Sequence, residues 1–130
     1  MQFDFGQNWI DFSKKSLTKE MVDAARRDFF RLFSSIDMRK KTFLDIGFGQ
    51  GISILLAKEA GAQVFGNDVN PKCMEALANT ANIMNISGDF PVTIGSILES
   101  SILTEIARMV KPVQKFDIVH SWGVLHHTGD

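Results

Sequence analysis

From residue 42 onward, short apolar runs alternate with stretches in which apolar residues recur every three or four positions. The first run is Phe43, Leu44 and Ile46, interrupted by Asp45, and it reads as a buried strand. Residues 52–60 read as a helix closed by Gly61 as its C-terminal cap. Gln63–Asp68 forms a second strand. Asn70 followed by Pro71 marks a helix start, Asn as N-cap and Pro at the first helical position. The stripe Met74, Leu77, Ala78, Ala81 and Met84 then predicts one apolar helix face. A loop over 85–91 leads to a short third strand at 91–94. Ile102, Leu103, Ile106, Met109 and Val110 mark the next helix, which Lys111 and Pro112 end. A fourth strand spans 116–121. Upstream, Thr18 is a candidate N-cap for a helix over 19–34. Its stripe is Val22, Ala25, Phe29, Leu32 and Ile36, with Arg26, Arg27, Asp28 and Arg31 largely off it. The order is helix, then β-α-β-α-β-α-β, an α/β class.

The connection out of the first strand carries the chemistry. Gly47, Gly49 and Gly51 stand at alternate positions. Strand, glycine turn and helix open a nucleotide-binding βαβ unit. Glycine there lets a ligand reach the backbone and permits positive φ. Free N–H groups at the helix start favour an anionic group. The dinucleotide fingerprint needs a third glycine where this chain has Ile52. Asp45 adds negative charge beside the loop, which suits an ammonium group better than a pyrophosphate. Asp68 ends the second strand 21 positions after Gly47. A carboxylate there can accept from both hydroxyls of a ribose; taken alone, it also reads as a helix cap or a solvated turn residue.

Composition narrows the class. The chain has 130 residues, 45% hydrophobic and 22% charged, the proportions of one ordinary globular domain. A formal net charge of −1 gives no sign of a nucleic-acid partner. Residues 1–41 hold nine Lys/Arg against six Asp/Glu, and the remainder five against nine. This reads as a solvated basic helix or as a docking face for an acidic partner. Cys73 is the one cysteine, which excludes an intrachain disulfide and fits a reducing compartment. Cys73 has no activating context in the sequence around it. No apolar run approaches the ~18 residues of a membrane span, and no signal-peptide pattern opens the chain, so the expected location is cytoplasmic. His126 and His127 are adjacent. They lack the i, i+4 spacing of a helical metal site, which leaves a structural role in the loop or a general base. No metal is expected, and no catalytic residue stands out.

Two separated motifs give a resemblance. The stretch from Phe43 through Asp45, Gly47, Gly49 and Gly51 resembles motif I of the class I S-adenosylmethionine-dependent methyltransferases. Phe48 stands where that family often has a small or Cys residue. The run from Phe116 through Asp117, Ser121, Trp122, His126, His127 and Gly129 resembles motif IV of one group within it. Phe5, Gly6, Asn8, Trp9 and Phe12 are similar to the F-G-x-N-W-x-x-F opening of the same group. The resemblance implies a Rossmann-like parallel sheet of order 3-2-1-4 with helices on both faces and an N-terminal helical arm.

It further implies a cofactor, S-adenosylmethionine, whose methionine end lies over Asp45, Gly47, Phe48, Gly49 and Gly51. Asp68 and the adjoining Val69 would hold the ribose end. Ser96 and Ile97 would meet the adenine, Ser96 in the place of an acid; Ser96 also reads as the start of a turn. Ser121 and Trp122 would border the methionine portion and the acceptor pocket. Residues 1–40 are expected to form an N-terminal arm and helix, the arm either packing its aromatics on the domain or acting as a lid with Asn8 and Trp9 over the cofactor. Residues 41–130 are expected to form the cofactor-binding half-domain, ending after strand four. That strand's edge would then invite self-association. The implied activity is methyl transfer to an acceptor, expected to be a small molecule rather than nucleic acid or membrane. The alternatives are a NAD-type domain of a dehydrogenase and a non-catalytic binding module that keeps the fold.

Overall fold

The computed structural model describes residues 17–88, 90–110 and 115–121. The expectations for Asn8, Trp9, Pro112, Trp122, His126 and His127 lie outside the described residues. The elements are α1 (Lys19–Leu32), β1 (Thr42–Ile46), α2 (Ile52–Glu59), β2 (Gln63–Asp68), α3 (Lys72–Met84), β3 (Val92–Ile94), α4 (Ser100–Met109) and β4 (Ile118–Ser121). The four strands form one sheet of order β3-β2-β1-β4, parallel throughout.

The pleat of β1 divides the core. Phe43 faces one side with Val64, Phe48, Ile54, Leu55 and Phe29, where α1, α2 and α3 pack. Leu44 and Ile46 face the other with Phe65, Ile102, Ile106 and Val110, under α4. Helices therefore cover both faces, as a parallel sheet requires. Thr42 fastens the first strand to the fourth: its N–H donates to Asp117 Oδ2 at 2.9 Å, and its Oγ1 accepts from the Asp117 N–H at 2.9 Å. The Thr42 N–H, with the Thr42 hydroxyl donating to the same Oδ2 at 3.2 Å, holds the Asp117 carboxyl below the usual carboxylate range.

Helix starts follow the sequence. Thr18 caps α1 by accepting from the Met21 N–H at 3.2 Å. Asn70 Oδ1 accepts from the Lys72 N–H at 3.0 Å, with Pro71 already at helical φ −62°. Arg26 is engaged on the surface: its guanidinium donates to both carboxylate oxygens of Glu59 at 2.9 and 3.0 Å, joining α1 to α2.

Three stripes are corrected. In α1, Leu32 is 64% exposed, and Ile36 beyond its end is exposed too. The helix stops at Leu32, and Phe33, four positions after Phe29, takes the core place with ring centroids 4.7 Å apart. In α3 the buried face is Cys73, Ala76, Leu77, Thr80 and Ala81, while Met74 and Ala78 are exposed. That face also has the i, i+3, i+4, i+7 spacing, and Thr80 can join it because its hydroxyl donates to the Ala76 carbonyl at 2.9 Å. In α4, Ile102, Ile106 and Val110 are buried and Leu103 is exposed.

Gly66 in β2 is needed for packing. A Cβ there would lie 2.7 Å from Ile54 Cδ1 and 2.8 Å from Phe48 Cδ1. Phe48 leaves the glycine loop and drops into the space that Gly66 leaves open. Gly66→Ala is therefore expected to destabilise the fold by about 1–3 kcal/mol through overpacking. Urea unfolding checks this, and an unchanged midpoint would remove Gly66 from the account.

Candidate functional site

All four strands run the same way, so the loops after them gather at one edge of the sheet. The chain leaves β1 toward β2 and later crosses to β4 on the other side. The gap between β1 and β4 is thus the topological switch point, where open α/β sheets bind ligands.

The loop at this edge is built from the backbone. Gly47, Gly49 and Gly51 have φ of 74°, 58° and 87°, a region that strongly favours glycine. The Gly47 N–H donates to the Asn67 carbonyl at 2.6 Å, and the Gly51 N–H to the Phe48 carbonyl at 2.9 Å. Gly51 also admits α3: a Cβ on it would lie within 3.4 Å of Leu77 Cδ1, Cγ and Cβ.

Asp68 closes the loop from β2. Its Oδ2 accepts from the Gly49 N–H at 3.1 Å and its Oδ1 from the Asn70 N–H at 3.1 Å. Each carboxylate oxygen keeps a second lone pair for another donor. Val69, next to it, is 69% exposed. Ser96 makes the turn into α4, its Oγ accepting from the Leu98 N–H at 3.2 Å. Ile97 is half-buried against the α4 side of the core. Ser121 is half-buried, opposite Ile46 in the β1–β4 register. Among the described residues its buried Oγ has no hydrogen-bond partner, and neither has Gln50 Oε1 in the loop. Phe48 gives the loop only its backbone; its ring is buried in the core.

Asp45 and its partner sit beneath the loop, across the switch point. Asp45 is 3% exposed. Its Oδ1 lies 3.1 Å from Nδ1 of His120, its register partner on β4. The His120 ring stacks on Phe43 at 5.9 Å and meets Phe33 at 6.3 Å. Burial raises the Asp45 pKa, which the His120 hydrogen bond opposes. The hydrogen bond to Asp45 raises the His120 pKa above 6.5 despite the burial of the ring.

Sequence reasoning passed over His120 for the adjacent pair His126 and His127. The signal was available, since order 3-2-1-4 sets β4 beside β1. Asn67 was also missed: it is 2% exposed, and its side-chain amide donates to Thr93 Oγ1 at 3.0 Å and the Gly95 carbonyl at 3.2 Å.

Elsewhere, an apolar hollow of about 360 Å³ lies between α3 and the approach to β3. Leu77, Ala81, Ile86 and Phe90 line it, and among the described residues no titratable group does. Among the described residues no group of His, Cys, Asp and Glu could hold a metal. No helix among them is long and apolar enough to cross a membrane.

A family model of methyltransferase domains matches residues 18–130. The chain belongs to the methyltransferase domain family. This methyltransferase domain is 30% identical over 82 residues to a protein of Methanocaldococcus jannaschii. That protein carries the provisional name protein N5-glutamine methyltransferase; the match covers 62% of this chain and 42% of the relative. Among solved structures, the domain resembles a Methanococcus maripaludis protein provisionally named an S-adenosyl-L-methionine-dependent methyltransferase. The TM-score is 0.62 at 22% identity, over 97% of this chain and 54% of that one. It also resembles magnesium protoporphyrin IX methyltransferase from Synechocystis PCC 6803, solved with bound S-adenosylmethionine. There the TM-score is 0.54 at 20% identity, over 98% of this chain and 52% of that one. The chain thus spans about half the length of these relatives, and its partial sheet has their Rossmann-like methyltransferase fold. The match does not favour the dehydrogenase alternative.

The buried pair gives stability a pH dependence. Asp45 and His120 both have raised pKa values in the folded state. The His120 contribution is fully present below its unfolded value of about 6.5 and is lost as pH rises through its higher folded value. The raised Asp45 pKa acts in the same direction. The unfolding midpoint is expected to fall as pH rises above 6.5, by less in His120→Gln. Equal slopes in the two proteins would dissolve the link.

Proposed function

We propose that this chain is the cofactor-binding part of an S-adenosylmethionine-dependent methyltransferase that acts on a small-molecule acceptor. The observation that carries the reading is the bare glycine loop at the switch point, with the Asp68 carboxylate fixed across it at 3.1 Å from Gly49 N. The fit to this cofactor is supported on three counts. The loop backbone at Gly47, Gly49 and Gly51 carries no side chain to hold a ligand off. Asp68 keeps acceptor capacity on both oxygens, one for each ribose hydroxyl. Ser121 Oγ and Gln50 Oε1 are buried polar atoms that lack a hydrogen-bond partner among the described residues, and a polar ligand would supply one.

In this reading Asp45 and the loop from Gly47 to Gly51, with the backbone of Phe48, receive the methionine end. Asp68 and Val69 take the ribose side, Ser96 and Ile97 flank the adenine, and Ser121 and Trp122 border the transferred group. A lid role for the arm that precedes α1 belongs to the same proposal. When bound, the cofactor supplies a methyl group already activated on a sulfonium. The protein then has to orient an acceptor in line with it and exclude water. A base is required only where the acceptor must lose a proton; His126 and His127 are the candidates. The near-neutral charge of the chain supports a small-molecule acceptor over a nucleic acid.

Titration calorimetry of the chain with S-adenosylhomocysteine, with NADH as control, tests the cofactor. Binding of the first alone is expected, and a preference for NADH would overturn the reading. Asp68→Ala should weaken that binding by about 1.5–3 kcal/mol, the value of hydrogen bonds to a charged acceptor. Unchanged affinity would remove Asp68 from the ribose site.

A further inference from the structure

The buried pair across the switch point has a consequence for what the site prefers to bind. We propose that His120 is a specificity-determining residue: through its bond to Asp45 it sets the net charge beneath the glycine loop, and so the preference for the sulfonium cofactor over its thioether product. The proposal rests on the reading of the site as one for S-adenosylmethionine.

The geometry confines the charge. Asp45 is 3% exposed and its Oδ1 is 3.1 Å from His120 Nδ1. The His120 side chain is 16% exposed, wedged against the rings of Phe43 and Phe33. Among the described residues, the charged groups that bear on the pair are few. Asp68, at the end of β2, acts on Asp45, while the turn just after α1 sets the Phe33 ring against His120. With one proton on the pair, wherever it sits between imidazole and carboxylate, the pair is neutral and Asp68 supplies the one net negative charge. When that proton leaves, the site carries two.

The two ligands differ in the charge they bring. S-adenosylmethionine has an ammonium, a carboxylate and a sulfonium, and is a net cation. The product keeps the ammonium and carboxylate, has a neutral thioether and carries no net charge. A second negative charge beneath the loop draws the ammonium that both ligands carry, and in addition the sulfonium that only the cofactor has, so it favours the cofactor. Protonation of the pair removes that added preference. His120 in this way tunes how readily the product is displaced by fresh cofactor.

The test pairs two measurements on the wild-type chain with one variant. NMR of the imidazole resonances, assigned with His120→Gln, gives the pH at which His120 titrates. Calorimetry then gives the affinities of S-adenosylmethionine and S-adenosylhomocysteine between pH 6 and about 8.5. The ratio of the two affinities is expected to move about fivefold toward S-adenosylmethionine across the His120 titration, the size of one charge acting through a partly solvated site. In His120→Gln no step is expected at that pH. A flat wild-type ratio with both ligands bound, or the same step in His120→Gln, overturns the role of His120 and leaves the cofactor reading standing. Binding of neither ligand at any pH overturns both.

Discussion

Asn67 is the constraint from which the binding edge is built. It is a polar residue in the middle of a parallel sheet, 2% exposed, and an unsatisfied amide there would be costly. The structure satisfies it while tying together the loops that follow β1 and β3. Its backbone carbonyl accepts from the Gly47 N–H, which turns the chain out of β1. Its side-chain amide reaches Thr93 and the Gly95 carbonyl, which fixes the chain leaving β3. The next residue, Asp68, then clamps Gly49. Two consecutive positions of β2 thus set the shape of the loops on either side of it. The glycines supply the conformational freedom that this arrangement needs, and β2 decides which conformation is used.

The Asp45–His120 pair imposes a second constraint. A carboxylate buried this deeply costs several kcal/mol unless it is paired or takes a proton. An imidazole is a suitable partner because the proton can be shared along the bond as the surroundings demand. The aromatic wall of Phe33 and Phe43 flanks the ring, with Phe43 stacked on it. The same wall belongs to the core between α1 and the sheet. The packing of α1 and the electrostatics of the ligand edge therefore share one set of side chains, and a change in one acts on the other.

Much of this was legible in the sequence. β2 was read with its observed bounds, and the strand order followed from the family's topology. The glycine loop and Asp68 stand together as their spacing implies. What escaped were choices made by tertiary packing. In α3, Met74 and Ala78 looked like core, yet Cys73 and Thr80 hold the buried face, because the hydroxyl of Thr80 is satisfied within its own helix. In α1 the stripe predicts Leu32 as core, yet Phe33 packs against the core instead, because the helix ends between them. Asp45 was read as an acid facing a ligand, and its partner on β4 went unnoticed. A lone histidine in a strand carries no local signal; its meaning appears only when the strand beside it is known.

The departure at Phe48 shows how the loop and the core are reconciled. A phenylalanine between two glycines could turn toward the ligand and fill the space that the glycines leave. It does not, because β2 offers Gly66 opposite: the Phe48 and Ile54 side chains occupy the volume a Cβ would take. Burying the ring stabilises the core by roughly 1.5–3 kcal/mol, and the same movement leaves bare backbone at the binding edge. Gly66 weakens its strand, as glycine does. The loop keeps its open face because a neighbouring strand gives up a side chain. In this chain the glycine pattern of the binding edge therefore extends beyond the loop, into the sheet beneath it.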